Sequence, residues 1–384
     1  MAYSDMSFKP IAIADTHVHI TAPVSVDESA RIFSEIMEYF GYARIGIAAV
    51  TTECGHGESD HDNNLKAFYA KDVLNAIRAD SAYVYANPLY YLDERDSADL
   101  YLVEAQELYR MGADGYKFLD GKPNMRRMIK RRLSDPIYDK MYAWLEEMGL
   151  PVLMHVADPR HFWGPKEGMS AYGLKSGWWC GDGSCPSFDE LHNEVCEILE
   201  KFPKLCFRAA HCFFLGDDIE ALTAFFERWE NTAIDLTPAA INFEKMGKCP
   251  DAWRAFFQKY SHRIYFGTDT YNTALDGAME KYEHWTAPGL IRRMLEYPTG
   301  TPFELFGEHY AALGLDDASL SDIYLENHKH LHPAARPLDC ERIAYRAGEM
   351  LADIVARRTP YESDARYALE EENMRAVIAR FGGR

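Results

Sequence analysis

The sequence predicts a protein of the α/β class, built as a (β/α)8 barrel. Short apolar segments alternate strictly with amphipathic helical segments, and such alternation implies parallel strands. Eight strand–helix units fill about 260 residues, which matches the usual size of this barrel. An open doubly wound sheet is the alternative. It is disfavoured because no glycine-rich phosphate loop follows the first strand.

Eight strands are predicted from apolar runs of strand length that are flanked by turn residues or by helical segments. In chain order they are Ile11–Ile20, Ile45–Thr51, Tyr83–Tyr91, Gly115–Leu119, Val152–Ala157, Cys206–Cys212, Ala233–Thr237 and Ile264–Thr268. The segments between them carry apolar residues at helical spacing, and several begin with Ser or Asp and end at Gly or Pro.

Two segments depart from the repeat. The first is the long connection Asp158–Ser187 after the fifth strand, called the lid segment below, which is rich in Trp, Gly and Pro. Loops of this length in compact domains are usually functional, and clustered aromatic residues argue against disorder. The second is a pair of helical patterns after residue 332. We therefore expect a barrel over residues 1–332 and a helical extension over residues 333–384, which packs on the barrel or forms a subunit contact.

Charge and composition limit the function. Sixty acidic residues against 41 basic ones give a net charge of −19, a field that would repel nucleic acids and anionic membranes. No apolar run reaches the ~20 residues of a membrane span, and the N-terminus lacks the apolar core of a signal peptide. The eight scattered cysteines indicate reduced thiols. We expect a cytoplasmic homo-oligomer that acts on a small molecule.

The first strand, "IAIADTHVHI", ends in two histidines one residue apart. Side chains alternate along a strand, so His17 and His19 point to the same side. In a barrel, functional groups lie inside the C-terminal mouth. Two imidazoles there suit a divalent transition metal, although two structural core histidines are the plain alternative.

Other predicted strand ends carry residues of the same kind. His155 ends the fifth strand, His211 the sixth and Asp269 the eighth. Because the C-terminal ends of all barrel strands meet at one mouth, these side chains should converge with His17 and His19. Their number makes the structural alternative unconvincing, and the sequence predicts a metal site.

These residues stand in motifs that together resemble the amidohydrolase superfamily, in particular its amidohydrolase-2 branch of metal-dependent hydrolases and nonoxidative decarboxylases. The resemblance runs from Asp15 to about His330. The motifs are "DTHVH", "DPIYDKMYAWLEEMGLPVLMH", "FPKLCFRAAH", "FGTD" and "LSDIYLENHKHL".

The resemblance implies that a metal, with zinc as the favoured ion, is held by His17, His19, His155 and Asp269. It implies that His211 binds a second metal or orients the attacking water. A metal with such ligands lowers the pKa of its water. Asp269 and His211 are accordingly the predicted catalytic residues, with Asp269 accepting the proton of the water.

Lys117 ends the predicted fourth strand and has two interpretations. In binuclear members of the superfamily a lysine there is carboxylated and bridges two metals; in much of the amidohydrolase-2 branch the site is mononuclear. We favour binding of a substrate carboxylate by the ammonium. Arg160, Glu53 and Trp163 are the other predicted substrate-binding residues, the first and last of them in the lid segment.

Two further groups of potential metal ligands are not assigned to a metal site. Cys180, Cys185, His192 and Cys196 offer soft ligands, but their spacing is looser than in structural zinc sites. The tract "HKHLH" at His328–His332 is expected to end a barrel helix on the side opposite the lid segment.

The predicted reaction is hydrolysis of a C–N or C–O bond, of the amide or lactone type, in a small anionic substrate. The alternative is nonoxidative decarboxylation of an aromatic or unsaturated carboxylic acid. A metal-stabilised scaffold without activity is a third interpretation, and the complete set of ligand residues argues against it.

Overall fold

Eleven strands are present in the computed structural model, which describes residues 7–20, 23–50, 62–88, 97–237, 240–273, 286–305, 308–356 and 364–383. They are β1 (Ile13–His19), β2 (Tyr42–Ala48), β3 (Ala82–Ala86), β4 (Gly115–Gly121), β5 (Val152–Val156), β6 (Phe207–Ala209), β7 (Thr232–Asp235), β8 (Ile264–Tyr265), β9 (Thr270–Tyr271), β10 (Pro302–Leu305) and β11 (Glu308–Ala311). The last two form a separate antiparallel hairpin, which the sequence did not predict.

Strands β1 to β8 pair as parallel neighbours in chain order. The segment from Ile264 to Tyr271 closes the barrel, since its first part, β8, pairs with β7 and its second part, β9, pairs with β1. Between these parts, Thr16 N–H donates to the Phe266 carbonyl at 3.0 Å. The predicted (β/α)8 barrel is confirmed. The predicted eighth strand, Ile264–Thr268, ends early, at Tyr265, and β9 follows as a separate short strand.

Helices follow the strands around the barrel. They are α1 (Val26–Phe40), α2 (Asp62–Ile77), α3 (Ala98–Met111), α4 (Pro123–Ile129), α5 (Asp139–Met148), α6 (Ala171–Lys175), α7 (Phe188–Lys201), α8 (Ile219–Arg228), α9 (Ala240–Met246), α10 (Pro250–Lys259), α11 (Thr286–Glu296), α12 (Asp317–Ser321), α13 (Asn327–Leu331), α14 (Cys340–Ala356) and α15 (Asp364–Phe381). A π-helical turn, Asp322–Glu326, joins α12 to α13.

Local sequence explains where several helices begin and end. The side chains of Ser25 and Ser97 accept hydrogen bonds from backbone N–H groups in the first turns of α1 and α3. Gly41 and Gly149 end α1 and α5 in the left-handed conformation, which costs glycine little. These caps are the Ser and Gly signals in the sequence.

The lid segment is held by its own aromatic side chains. The Phe162 and Trp178 rings stack with centroids 6.0 Å apart, and Trp179 Nε1–H donates to the Gly164 carbonyl at 3.0 Å. Cys180 and Cys185 form a disulfide with Cα atoms 5.5 Å apart. The expectation of reduced thiols is therefore wrong for this pair, because both sulfurs are used in the disulfide.

The C-terminal extension packs on helices near the start of the chain. Arg342 pairs with Glu107 of α3 at 2.8 Å, and the Asn373 side chain accepts a hydrogen bond from Val26 N–H at 2.9 Å. Phe381 is buried and packs edge-on against Tyr69. Within the described ranges, every helix is too short or too polar to cross a lipid bilayer.

Candidate metal centre

His17, His19 and Asp269 form a compact group at the mouth of the barrel. The two Nε2 atoms lie 3.1 Å apart, and Asp269 Oδ1 lies 2.7 Å from His19 Nε2 and 3.5 Å from His17 Nε2. The potential ligand atoms of the three residues are all within 4.8 Å of one another. Two imidazole nitrogens and one carboxylate at such separations match the ligand types of a divalent transition metal.

Backbone geometry places Asp269 in this group. Its φ of 60° is left-handed, a conformation that is strained for most residues and less so for Asp. Its N–H donates to the His17 carbonyl at 2.8 Å, which ties the turn to β1. Burial by itself would raise the pKa of this carboxyl, but His19 and His17 hold it well below its usual value. The carboxylate is therefore ionised.

Partners behind the group orient the two imidazoles. His17 Nδ1 lies 2.9 Å from Asp235 Oδ2, and His19 Nδ1 lies 3.3 Å from the Ala48 carbonyl. Both partners accept hydrogen bonds, so each Nδ1 donates to its partner and each Nε2 is the atom left to face a metal ion. Burial, and secondly the Lys117 ammonium, lower the pKa of His17 well below its usual value, which keeps the ring neutral.

Asp235 is a site residue that the sequence reasoning missed. It ends β7, is fully buried, and also accepts from the backbone N–H of His211 at 2.9 Å. Thr237 Oγ1 donates to it at 2.8 Å. The signal was available, because "AIDLT" places an acidic residue at the C-terminal end of a predicted strand, by the same criterion that selected His155 and His211.

Lys117 lies directly beside the group, on β4. Its Nζ is 2.9 Å from His17 Nε2, and the side chain is fully buried. Burial lowers the pKa of Lys117 to about 8, while Asp269 and Asp235 oppose that shift. The predicted position of Lys117 at the mouth is thus observed. Whether Lys117 is carboxylated and bridges two metals, or binds a substrate carboxylate as an ammonium, stays a prediction.

His155 and His211 contact each other at the side of the group. His211 Nδ1 lies 2.5 Å from the Thr237 carbonyl, and its Nε2 lies 2.8 Å from His155 Nδ1. His155 Nε2 then faces Asp158 Oδ1 at 3.2 Å. Burial and neighbouring cations lower the pKa of His155, and burial lowers that of His211 to about 3. Both rings are neutral links in a hydrogen-bonded chain.

The metal-ligand role of His155 stays a prediction. Its ring faces His211, and the His211 ring centroid in turn lies 5.7 Å from that of His17. Asp158, which the sequence reasoning did not assign, is buried, and burial raises the pKa of its carboxyl. The Lys122 ammonium, 3.4 Å from Asp158 Oδ1, opposes that shift.

His211 begins a turn in which four consecutive residues, 211–214, have positive φ. The predicted strand Cys206–Cys212 therefore ends early, at Ala209. Asn242 Nδ2–H donates to the His211 carbonyl at 2.9 Å and holds the turn, while the Phe214 ring stacks on His211 at 5.0 Å. Left-handed backbone is costly for such residues, so this turn persists only because its surroundings fix it.

The predicted substrate-binding residues have different surroundings. Arg160 lies 3.6 Å from Asp189 and 3.9 Å from Asp217, with its guanidinium over the Phe188 ring. Trp163 Nε1–H donates to the Pro186 carbonyl at 2.9 Å, so its polar atom is used within the lid segment. Glu53 lies outside the described residues.

The histidine tract at the end of α13 is structural. His332 Nε2 lies 2.7 Å from Tyr85 Oη, and His328 packs edge-on against Tyr83, both on β3. Both histidines are buried. They belong to the barrel core and lie apart from the group formed by His17, His19 and Asp269.

A (β/α)8 barrel whose mouth holds a group that could bind a metal ion is the arrangement typical of metal-dependent barrel enzymes. The chain belongs to the Amidohydrolase family, because the Amidohydro_2 family model matches residues 14–327. This agrees with the resemblance drawn from the motifs. No curated protein matches the chain.

Solved structures similar to this chain include the 4-oxalomesaconate hydratase LigJ from Rhodopseudomonas palustris, at 11% identity and a TM-score of 0.43, covering 96% of each chain. Another is the IDCase of Metarhizium anisopliae, at 13% identity and a TM-score of 0.41, covering 96% of this chain and 97% of that one. Amidohydrolase 2 from Bifidobacterium longum subsp. infantis has 11% identity and a TM-score of 0.41, covering 84% and 99%.

Proposed function

We propose that the protein is a metal-dependent hydrolase that cleaves a C–N or C–O bond, of the amide or lactone type, in a small anionic substrate. The observation that carries the proposal is the group His17, His19 and Asp269, whose ligand atoms lie within 4.8 Å of one another. One divalent ion would be held there, with zinc as the favoured ion and His155 as the predicted fourth ligand.

The surroundings of the group fit a metal ion. Asp235 and the Ala48 carbonyl orient the two imidazoles so that their Nε2 atoms converge with an ionised carboxylate. When bound, a divalent ion supplies Lewis acidity towards water and towards a carbonyl oxygen. The buried residues around the group exclude bulk water and strengthen electrostatic interactions there.

The reacting protons would be handled by the chain's own residues. Asp269 is ionised and 2.7 Å from His19, so it can accept a proton from water and return it to the leaving group. His211 is neutral and fixed by the Thr237 carbonyl, so it can position the reacting groups without a charge of its own. Lys117 would meet a carboxylate of the substrate beside the metal.

Decarboxylation is the second candidate, and the position of Lys117 favours it. A buried amine 2.9 Å from His17 could bind the carboxylate that leaves as carbon dioxide. Release of carbon dioxide from a panel of aromatic and unsaturated acids distinguishes this reaction from hydrolysis. No release across the panel would count against it.

The test of the hydrolase proposal is Asp269→Asn, assayed on a panel of amides and lactones with the metal content measured in parallel. We expect the variant to stay folded and to lose turnover by at least about a hundredfold, because a general base has been removed. Asp99→Asn, an exposed position on α3, is the matched control and should keep activity. Full activity in Asp269→Asn would contradict the proposal.

Zinc as the bound ion, a homo-oligomeric state and a cytoplasmic location also stay predictions.

A further inference from the structure

A cavity of about 230 Å³ lies on one side of the barrel mouth. Its lining comes from the segments that follow three consecutive strands, β5, β6 and β7. These segments contribute Arg160, His161, Phe214, Asp217, Asn242 and Lys245 to the cavity wall. Ligand sites of (β/α)8 barrels are built from such segments, so the location is that of a substrate pocket.

The cavity adjoins the predicted catalytic histidines. Phe214, in its wall, stacks on His211 with ring centroids 5.0 Å apart and lies 5.7 Å from the His155 ring. Asn242, also in the wall, donates to the His211 carbonyl at 2.9 Å. A molecule that reacts at the metal group could therefore extend into this space along the Phe214 ring.

Lys245 is the least compensated cation in the described lining. Its Nζ approaches Glu244 only at 3.9 Å, and Glu244 also lies 3.5 Å from Lys248. Arg160, by contrast, lies between two carboxylates, those of Asp189 and Asp217. Asp217, the acidic side chain of the described lining, faces Arg160, so Lys245 is the cation left for a ligand.

The remaining lining suits a carboxylate on an apolar body. His161 is exposed at the surface of the cavity, and partial burial, followed by the nearby Lys245 ammonium, lowers the pKa of its ring. It is neutral at pH 7 and can donate one hydrogen bond. Phe214 supplies an apolar wall. In a chain of net charge −19, such a basic pocket selects anions locally.

We propose that this cavity binds a carboxylate at the end of the substrate remote from the metal group, and that Lys245 is the residue that determines this specificity. The proposal rests on the proposed function, which places the reacting bond at His17, His19 and Asp269. It specifies the substrate class as acids whose carboxylate is separated by a short spacer from the reacting carbonyl-type group.

The experiment measures binding and not turnover. Succinate, glutarate and adipate are titrated by calorimetry into the metal-loaded protein, and so is the monoacid of each, in which a methyl group replaces one carboxylate (butyrate, pentanoate and hexanoate). The monoacid keeps the chain length of the diacid, removes one charge and has no bond that the proposed hydrolase could cleave. The variants are Lys245→Gln and the control Lys248→Gln, which removes the same charge from an exposed site close by. Thermal unfolding checks that each variant is folded.

We expect the diacid of at least one length to bind about tenfold more tightly than its monoacid, since one charge-assisted hydrogen bond is lost. The preference should persist in Lys248→Gln and disappear in Lys245→Gln. The inference is overturned if the wild type shows no preference, if Lys245→Gln retains it, or if both variants lose it equally. Loss of turnover on every substrate with the preference intact would refute the reaction and leave the cavity assignment standing.

Discussion

Asp235→Asn should weaken metal binding although it changes none of the proposed ligand residues. The Asp235 carboxylate is fully buried and accepts four hydrogen bonds. One oxygen, Oδ1, faces three donors: the backbone N–H of His211 and the N–H and hydroxyl of Thr237. The other, Oδ2, faces His17 Nδ1 at 2.9 Å.

An asparagine side chain has only one oxygen, and that oxygen will occupy the Oδ1 position, where it can accept from three donors. The amide NH₂ then faces His17 Nδ1, which must become an acceptor. The ring proton moves to Nε2, the atom that faces the metal group, and His17 can no longer offer a lone pair there. Loss of such an outer partner typically lowers metal affinity about 10- to 100-fold, or ~1.4–2.7 kcal/mol.

The assay is competition for zinc against a chromophoric chelator. The control is Asp114→Asn, which removes a buried carboxylate from its pair with Lys71 at 2.7 Å, away from the site. Asp114→Asn should lower the free energy of unfolding and keep the wild-type metal affinity. Equal metal affinities for wild type and Asp235→Asn would refute the assigned orientation of His17.

Two further outcomes are expected. Burial lowers the pKa of His332 to about 3 and that of His328 well below its usual value. The unfolded chain therefore binds these protons near pH 6.5 and the folded chain does not, so stability is complete above that pH and falls as the pH falls below it. Denaturant unfolding at pH 7.5 and 5.5 should show that His332→Gln removes about 1.4 kcal/mol of this loss, whereas an unchanged loss would contradict the assignment. In Gly121→Ala the new Cβ would lie 2.3 Å from the His155 carbonyl oxygen, so we expect the variant to be destabilised by about 1–3 kcal/mol and to displace His155. Gly348→Ala, where no atom lies within 4 Å, is the control and should be neutral or slightly stabilising.

Most of the predicted site came from the alternation of side chains along strands and from the residue types at the strand ends. The period of two placed His17 and His19 together, and the barrel topology brought Lys117 and Asp269 to them from strands far away in the chain. These features follow from local patterns combined with one architectural rule, that all strand ends share a mouth. For this reason the barrel and the core of the candidate site could be predicted from the sequence.

What the sequence did not predict depends on pairings between distant residues. Asp235 could have been selected from its position near a strand end, but no local pattern indicates that its carboxylate pairs with His17 Nδ1 and not with a metal ion. The split of the eighth strand follows from the left-handed backbone at Asp269, which tertiary contacts impose against local preference. The Cys180–Cys185 disulfide depends on how the lid segment folds back, which cysteine spacing alone does not determine.

Metal stoichiometry is the most direct test of the account. Elemental analysis of protein purified without chelator should find one equivalent of a divalent metal, lost in His17→Ala and retained in the remote control His328→Ala. Two equivalents that fall to one in Lys117→Ala would show a carboxylated bridging lysine and contradict the mononuclear site. No bound metal in the wild type, even after incubation with zinc, would contradict the metal centre itself.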